Sequence, residues 1–146
     1  MYNILVCDDD KDIVEAIDIY LSKEGYNIIK AYDGMEAMEI LKKEDIQLLL
    51  IDVMMPRLDG IRATLKIREK SIIPIIILSA KSEDSDKIIG LDVGADDYIT
   101  KPFNPLELIA RVKSQIRRYT RLGTIAEPKS NVYSVGVLKS TTSVKK

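Results

Sequence analysis

Three short apolar runs in this sequence each end abruptly in charged residues. The runs and the residues that follow them are Ile4–Cys7 before Asp8, Asp9 and Asp10, Leu48–Ile51 before Asp52, and Tyr98–Thr100 before Lys101 and Pro102. Apolar runs of about four residues are typical of buried parallel strands, whose carboxyl ends share the edge of the sheet where ligands bind. The pattern therefore predicts that several acids and one lysine meet at a single site.

Carboxylates crowded into one pocket require a cation, because like charges a few ångströms apart raise each other's pKa. The chain contains no histidine, so an oxygen-only ligand set favours Mg²⁺ or Mn²⁺ over Zn²⁺. The ammonium group of Lys101 is suited to binding phosphate. A metal, a lysine and a carboxylate together indicate phosphoryl transfer to the carboxylate. Asp8, Asp9 and Asp10 have an alternative interpretation as an N-cap with an acidic first turn. Asp52 does not, because no helix start follows it.

The rest of the chain alternates between strand-like and helix-like segments. Strands are predicted over residues 4–7, 27–32, 47–51, 75–78 and 97–99, and helices over 11–24, 35–43, 61–70, 83–93 and 105–121. This alternation specifies an α/β fold with an open parallel sheet and helices on both faces. The flavodoxin-like strand order 2-1-3-4-5 is adopted from such folds. No glycine-rich loop follows the first strand, which argues against a dinucleotide or P-loop site.

Bulk properties favour a soluble chain in a reducing compartment. The longest apolar stretch, residues 72–78, contains Pro74 and is far shorter than the ~20 residues of a membrane span. The N-terminus lacks the pattern of a secretory signal, and a single cysteine cannot form an internal disulfide. We expect Cys7 to be a core residue and the protein to be cytoplasmic.

Several motifs together resemble the receiver domains of two-component response regulators over residues 2–120, and the OmpR/PhoB subfamily most closely. The motifs are Asp8-Asp9, Asp52-x-Met54-x-Pro56-x-x-Asp59-Gly60, Leu78-Ser79-Ala80, Gly94-Ala95-Asp96-Asp97-Tyr98 and Lys101-Pro102-Phe103.

The resemblance implies a function for each acid. Asp52 would accept a phosphoryl group from a sensor histidine kinase, and Lys101 would contact that group. Asp9, Asp52 and the backbone carbonyl of Met54 would bind Mg²⁺, with assistance from Asp8.

The resemblance also implies a switch formed by Ser79 and Tyr98, and a cis peptide bond between Lys101 and Pro102. A hydroxyl at the end of the fourth strand can bond a phosphoryl oxygen, and an aromatic ring on the fifth can pack inward once that hydroxyl moves. The alternatives are a strand-end cap for Ser79 and an ordinary tyrosine at the edge of the core for Tyr98.

The last helix places a charged face opposite an apolar one. Glu107, Arg111 and Arg118 lie within a narrow arc of the helical wheel, and the apolar residues lie across from them. The resemblance implies a two-fold homodimer on phosphorylation through Lys87, Asp96, Asp97, Glu107, Arg111 and Arg118. The alternative is a solvated face with an i,i+4 pair between Glu107 and Arg111.

We expect residues 1–121 to form the receiver domain. Residues 122–146 are predicted to be a linker and the opening of an effector domain, mostly disordered. Subfamily members continue into a winged-helix domain, and the chain stops at Lys146. We therefore expect truncation before that domain, and no sequence-specific DNA binding by this chain alone despite the subfamily's role in transcription.

A second class of function is a Mg²⁺-dependent phosphatase with an aspartyl nucleophile. Phosphatases of the haloacid dehalogenase family place a second acid two residues after the nucleophile, and here that position is Met54. Without that general acid a phosphoaspartate should persist. We therefore expect no enzyme activity beyond self-catalysed transfer to Asp52 and slow autodephosphorylation.

Overall fold

The computed structural model describes residues 1–55, 57–80 and 94–121. In these ranges the strands and helices follow the order that the sequence predicts. The elements are β1 (Asn3–Cys7), α1 (Lys11–Ser22), β2 (Asn27–Ala31), α2 (Gly34–Lys43), β3 (Leu48–Asp52), α3 (Gly60–Arg68), β4 (Ile75–Ala80), β5 (Asp97–Lys101) and α4 (Pro105–Arg121). The helix predicted over residues 83–93 and the predicted linker over 122–146 lie outside the described residues.

The five strands form one parallel sheet in the order β2-β1-β3-β4-β5. This confirms the predicted flavodoxin-like fold. The order reverses between β1 and β3, which pair directly through Cys7 and Ile51. Such a reversal leaves a crevice at the carboxyl ends of the two strands, where open α/β sheets bind ligands.

Apolar side chains fill a core on each face of the sheet. On one face α1 contributes Val14, Ile17 and Leu21, all fully buried, and α4 packs beside it. On the other face α2 and α3 cover a second cluster that includes Cys7. Cys7 is therefore a core residue, as predicted.

Aspartates begin three of the helices. The carboxylates of Asp10, Asp33 and Asp59 each accept a backbone N–H from the first turn of α1, α2 and α3. An N-cap of this kind stabilises a helix by about 1 kcal/mol. The N-cap interpretation of the acidic run after β1 thus holds for Asp10.

Strands β4 and β5 extend further than the sequence pattern predicts. Pairing continues through Ser79 with Thr100 and Ala80 with Lys101. Polar residues at a strand end carry little strand signal, so the prediction stopped where the apolar run stopped. The extension places Ser79 and Lys101 on ordered strands at the carboxyl edge.

Candidate functional site

Three carboxylates converge at the carboxyl edge of the sheet. One oxygen from each of Asp8, Asp9 and Asp52 lies within 4.8 Å of the others. Asp8 is fully buried and Asp52 is nearly so, whereas Asp9 is exposed. The sequence prediction that these acids meet is thus matched by the geometry.

Lys101 reaches two of these acids from β5. Its Nζ lies 2.8 Å from Oδ2 of Asp8 and 2.9 Å from Oδ1 of Asp52. The Lys101–Pro102 peptide bond is cis, as the resemblance implied. The ammonium group therefore lies directly against the candidate phosphoacceptor.

Burial and charge act in opposite directions on the ionisation of the site. Burial raises the pKa of Asp52 to about 6, although the hydrogen bond from Lys101 acts to lower it. Burial likewise raises the pKa of Asp8, although the hydrogen bond from Lys101 acts to lower it. The pKa of Lys101 is raised overall, because its bonds to Asp8 and Asp52 outweigh the lowering effect of burial.

The donor set fits a hard divalent cation. One ammonium group cannot balance three carboxylates in a partly buried site, so negative charge remains to be neutralised. Carboxylate oxygens are the ligands that Mg²⁺ prefers, and no softer ligand lies among these residues. The cluster could hold such an ion through Asp8, Asp9 and Asp52.

Ser79 supplies a buried hydroxyl next to the acids. On β4 it follows Leu78, which pairs with Asp52. Its side chain is 1% exposed, and its Oγ has no hydrogen-bond partner among the described residues. A buried polar atom without a partner costs about 1–3 kcal/mol. Its place on β4, one residue beyond the partner of Asp52, makes the hydroxyl a candidate donor to a group bound at Asp52. Tyr98, the other predicted switch residue, is buried in the core beside Ile77.

The loop after β3 folds back against Asp52. The Gly60 N–H donates to the Val53 carbonyl at 3.0 Å. A Cβ at Gly60 would lie 2.3 Å from the Asp52 carbonyl oxygen, so no larger residue fits. Met54 is exposed, and its carbonyl as a metal ligand stays a prediction. Pro56 lies outside the described residues.

The charged face of α4 is joined to β5 within the chain. The Arg111 guanidinium lies 2.6 Å from Asp97 and 3.1 Å from Glu107, so the predicted i,i+4 pair forms. Arg118 is exposed and stands 5.7 Å from the centre of the Tyr119 ring. Lys87, the other basic residue predicted for this face, lies outside the described residues.

Asp96 lies in an internal network that the sequence analysis did not foresee. Its carboxylate contacts Arg68 at 2.6 Å and accepts a hydrogen bond from the Tyr119 hydroxyl. Arg68 also donates to the carbonyls of Gly94 and Ile73, at 2.8 and 2.7 Å. These contacts join segments distant in sequence, so no local pattern could have indicated them.

Fold and site together define a doubly wound α/β domain with a cluster of acids and one lysine at the carboxyl ends of its strands. The family model of the response regulator receiver domain matches residues 4–113. The chain belongs to this family of two-component signalling domains.

Curated relatives of the chain include regulatory proteins. The chain is 47% identical to the regulatory protein VanR of Enterococcus faecium over 129 residues, which cover 88% of this chain and 56% of that protein. It is 49% identical to VanRc of Enterococcus gallinarum over 118 residues, covering 81% and 51%. The chain thus spans about half the length of the curated relatives it matches.

Solved receiver domains have the same fold. The receiver domain of the Francisella response regulator 1452 aligns with a TM-score of 0.76 and 40% identity, covering 81% of this chain and 98% of that one. A response regulator from Chloroflexus aurantiacus aligns with a TM-score of 0.78 and 35% identity, covering 80% and 98%. None of these comparisons supports the alternative of a phosphatase.

Among the described residues, no helix has both the length and the apolar character needed to cross a membrane.

Proposed function

We propose that Asp52 accepts a phosphoryl group from a sensor histidine kinase, and that this modification is the chain's signal. One observation carries the proposal: a buried carboxylate lies 2.9 Å from a lysine ammonium, inside a cluster of acids at the switch point of the sheet. Few arrangements other than phosphoryl transfer use an anionic acceptor, a cation site and an anion-binding lysine together.

In the proposed reaction an Asp52 oxygen attacks the phosphorus of a phosphohistidine. The new O–P bond forms as the N–P bond breaks, and the imidazole nitrogen leaves with the electron pair. Lys101 releases part of its interaction with Asp52 to neutralise a phosphoryl oxygen, and the Ser79 hydroxyl donates to another. Asp8, Asp9, Asp52 and the Met54 carbonyl would hold Mg²⁺, which supplies positive charge against the carboxylates and the phosphoryl group when bound.

The switch is proposed to work through Ser79 and Tyr98. A hydroxyl drawn toward the phosphoryl group changes the space at the end of β4, and the neighbouring ring on β5 repacks in response. Tyr98 directly follows Asp97, so its repacking reaches the charged face on β5 and α4.

We further propose an OmpR/PhoB-type receiver that acts in the cytoplasm and forms a two-fold dimer when phosphorylated. The contacts of Arg111 with Asp97 and Glu107 support the charged face that such a dimer would use. Asp96 is the exception, because Arg68 and Tyr119 already engage its carboxylate.

The test of phosphorylation uses Mg²⁺ and a small donor such as acetyl phosphate, followed by intact-mass spectrometry. The wild-type chain should gain one phosphoryl group, and Asp52→Asn should gain none. Asp45 is an exposed aspartate that precedes β3, at the end of the sheet opposite the site. Asp45→Asn is therefore the matched control and should be modified like the wild type. Equal modification of Asp52→Asn and the wild type would exclude Asp52 as the acceptor.

A further inference from the structure

Arg57 adopts a backbone conformation that most side chains avoid. It lies in the loop after Asp52 with φ of +70°, and no other non-glycine residue in the described ranges has a positive φ. A residue with a Cβ is disfavoured in this left-handed region, and such strain persists only where surrounding contacts enforce it. The contacts of Arg57 therefore indicate what the strain achieves.

The side chain of Arg57 connects the loop after Asp52 to the corner between β2 and α2, which is formed by residues 32–33. Its Nη1 lies 3.2 Å from Oδ2 of Asp33, and Oδ1 of Asp33 caps α2 through the N–H of Glu36. On the other side of the loop, Cys7 Sγ lies 3.4 Å from Met55 Sδ and donates to the Asp33 carbonyl at 3.3 Å. The loop is thus attached to one corner on both sides of its turn.

Backbone packing closes the same junction. A Cβ at Gly34 would lie 2.0 Å from the carbonyl oxygen of Leu58, so the corner and the loop are in direct contact. Leu58 itself is buried. These contacts hold the loop at Met55, Arg57 and Leu58, and Met54 directly precedes the first of these residues.

We propose that Arg57 is a positioning residue, which holds the loop after Asp52 against Asp33 and thereby keeps the Met54 carbonyl placed for Mg²⁺. The inference rests on the proposed function, because that function requires the cation. It adds a residue that touches neither the cation nor the phosphoryl group.

The electrostatic effect of Arg57 has the opposite sign to this positioning effect. A guanidinium that acted only through its charge would repel Mg²⁺, so its removal would tighten Mg²⁺ binding. Positioning through the contact with Asp33 predicts weaker binding instead. The direction of the change therefore distinguishes the two.

The experiment is calorimetric titration of the full chain with Mg²⁺ alone. Arg57→Asn removes the guanidinium while keeping a residue that tolerates positive φ. We expect its dissociation constant to rise about two- to fivefold, in line with the small energy of an exposed ion pair. Arg57→Lys should recover most of the affinity. Arg62→Ala, which removes an equal charge from an exposed position on α3, should bind as the wild type does.

A second variant separates positioning from folding. Asp33→Asn keeps the acceptor that caps α2 but removes the charge facing Arg57. It should weaken Mg²⁺ binding to the same extent as Arg57→Asn, and the double variant should be no weaker than either single one. Unchanged or tighter binding in Arg57→Asn, additive effects in the double variant, or a wild type that binds no Mg²⁺ would each overturn the inference. The titration needs no phosphodonor, so a failure of Asp52 to be phosphorylated would refute the proposed function alone.

Discussion

Asp8, Asp9 and Asp10 are adjacent in the sequence and have three different surroundings. Asp8 is fully buried against Lys101, and Asp9 is exposed at the cluster of carboxylates. Asp10 caps α1, and its carboxylate accepts from the N–H of Asp12 at 3.0 Å. The chain passes from β1 to α1 over these three residues, so each successive carboxylate lies in a different environment and has a different role.

This division predicts different effects for two alanine substitutions. Asp9→Ala should weaken Mg²⁺ binding at least about tenfold, because even the loss of an indirect partner of a metal ligand costs about 10- to 100-fold. Asp10→Ala should leave Mg²⁺ affinity unchanged and lower the free energy of unfolding by about 1 kcal/mol through loss of the cap. Calorimetry and denaturant unfolding measure the two quantities. Equal losses of Mg²⁺ affinity would mean that the acids bind the cation diffusely.

At the scale of elements, one arginine joins α3 to the segments that lead into β4 and β5, at the end of the sheet opposite the site. Arg68 is mostly buried and donates to three carbonyls, those of Ser71, Ile73 and Gly94, and to Asp96. Arg68→Ala should lower the free energy of unfolding by roughly 2–4 kcal/mol, because several acceptors lose a charged donor. Arg62→Ala is the control and should cost less than about 0.5 kcal/mol, since its contact is exposed. Similar costs in the two variants, measured by urea unfolding, would contradict this account of Arg68.

The sequence predicts the positions of the strands and helices better than it predicts the contacts between them. Apolar runs and helical periodicity place every described strand and helix within a few residues, since burial imposes those patterns locally. The extension of β4 to Ala80 and of β5 to Lys101 depends on pairing between the two strands. The contacts of Arg57 with Asp33 depend likewise on packing between segments, and no local pattern indicates them.

At the scale of the whole molecule, the charged face on β5 and α4 predicts an association that depends on phosphorylation. A stable phosphoryl mimic should promote dimers, and higher salt should weaken them, because exposed ion pairs are screened and contribute little each. Arg111→Glu should abolish dimers by repelling Asp97 and Glu107. Lys113→Glu, on α4 but paired with Glu24, is a control that should still dimerise. Sedimentation velocity at two salt concentrations tests this, and a monomer under all conditions would refute it.

The gathering of Asp8, Asp9, Asp52 and Lys101 follows from topology, and this is why the sequence could predict it. Parallel strands bring their carboxyl ends to one edge whatever their order. The order 2-1-3-4-5 could not be read from alternation alone and came from the likeness to known sheets. That Lys101 contacts both Asp8 and Asp52 could be learned only from the structure.

The most direct test of the central claim locates the phosphoryl group on the chain. After treatment with Mg²⁺ and acetyl phosphate, borohydride reduces an aspartyl phosphate to homoserine, and peptide mass spectrometry then identifies the converted residue. The predicted result is homoserine at position 52 alone, absent without Mg²⁺ and absent in Asp52→Asn. Conversion at another aspartate, or none in a wild-type chain that binds Mg²⁺, would contradict the assignment of Asp52 as the phosphoacceptor.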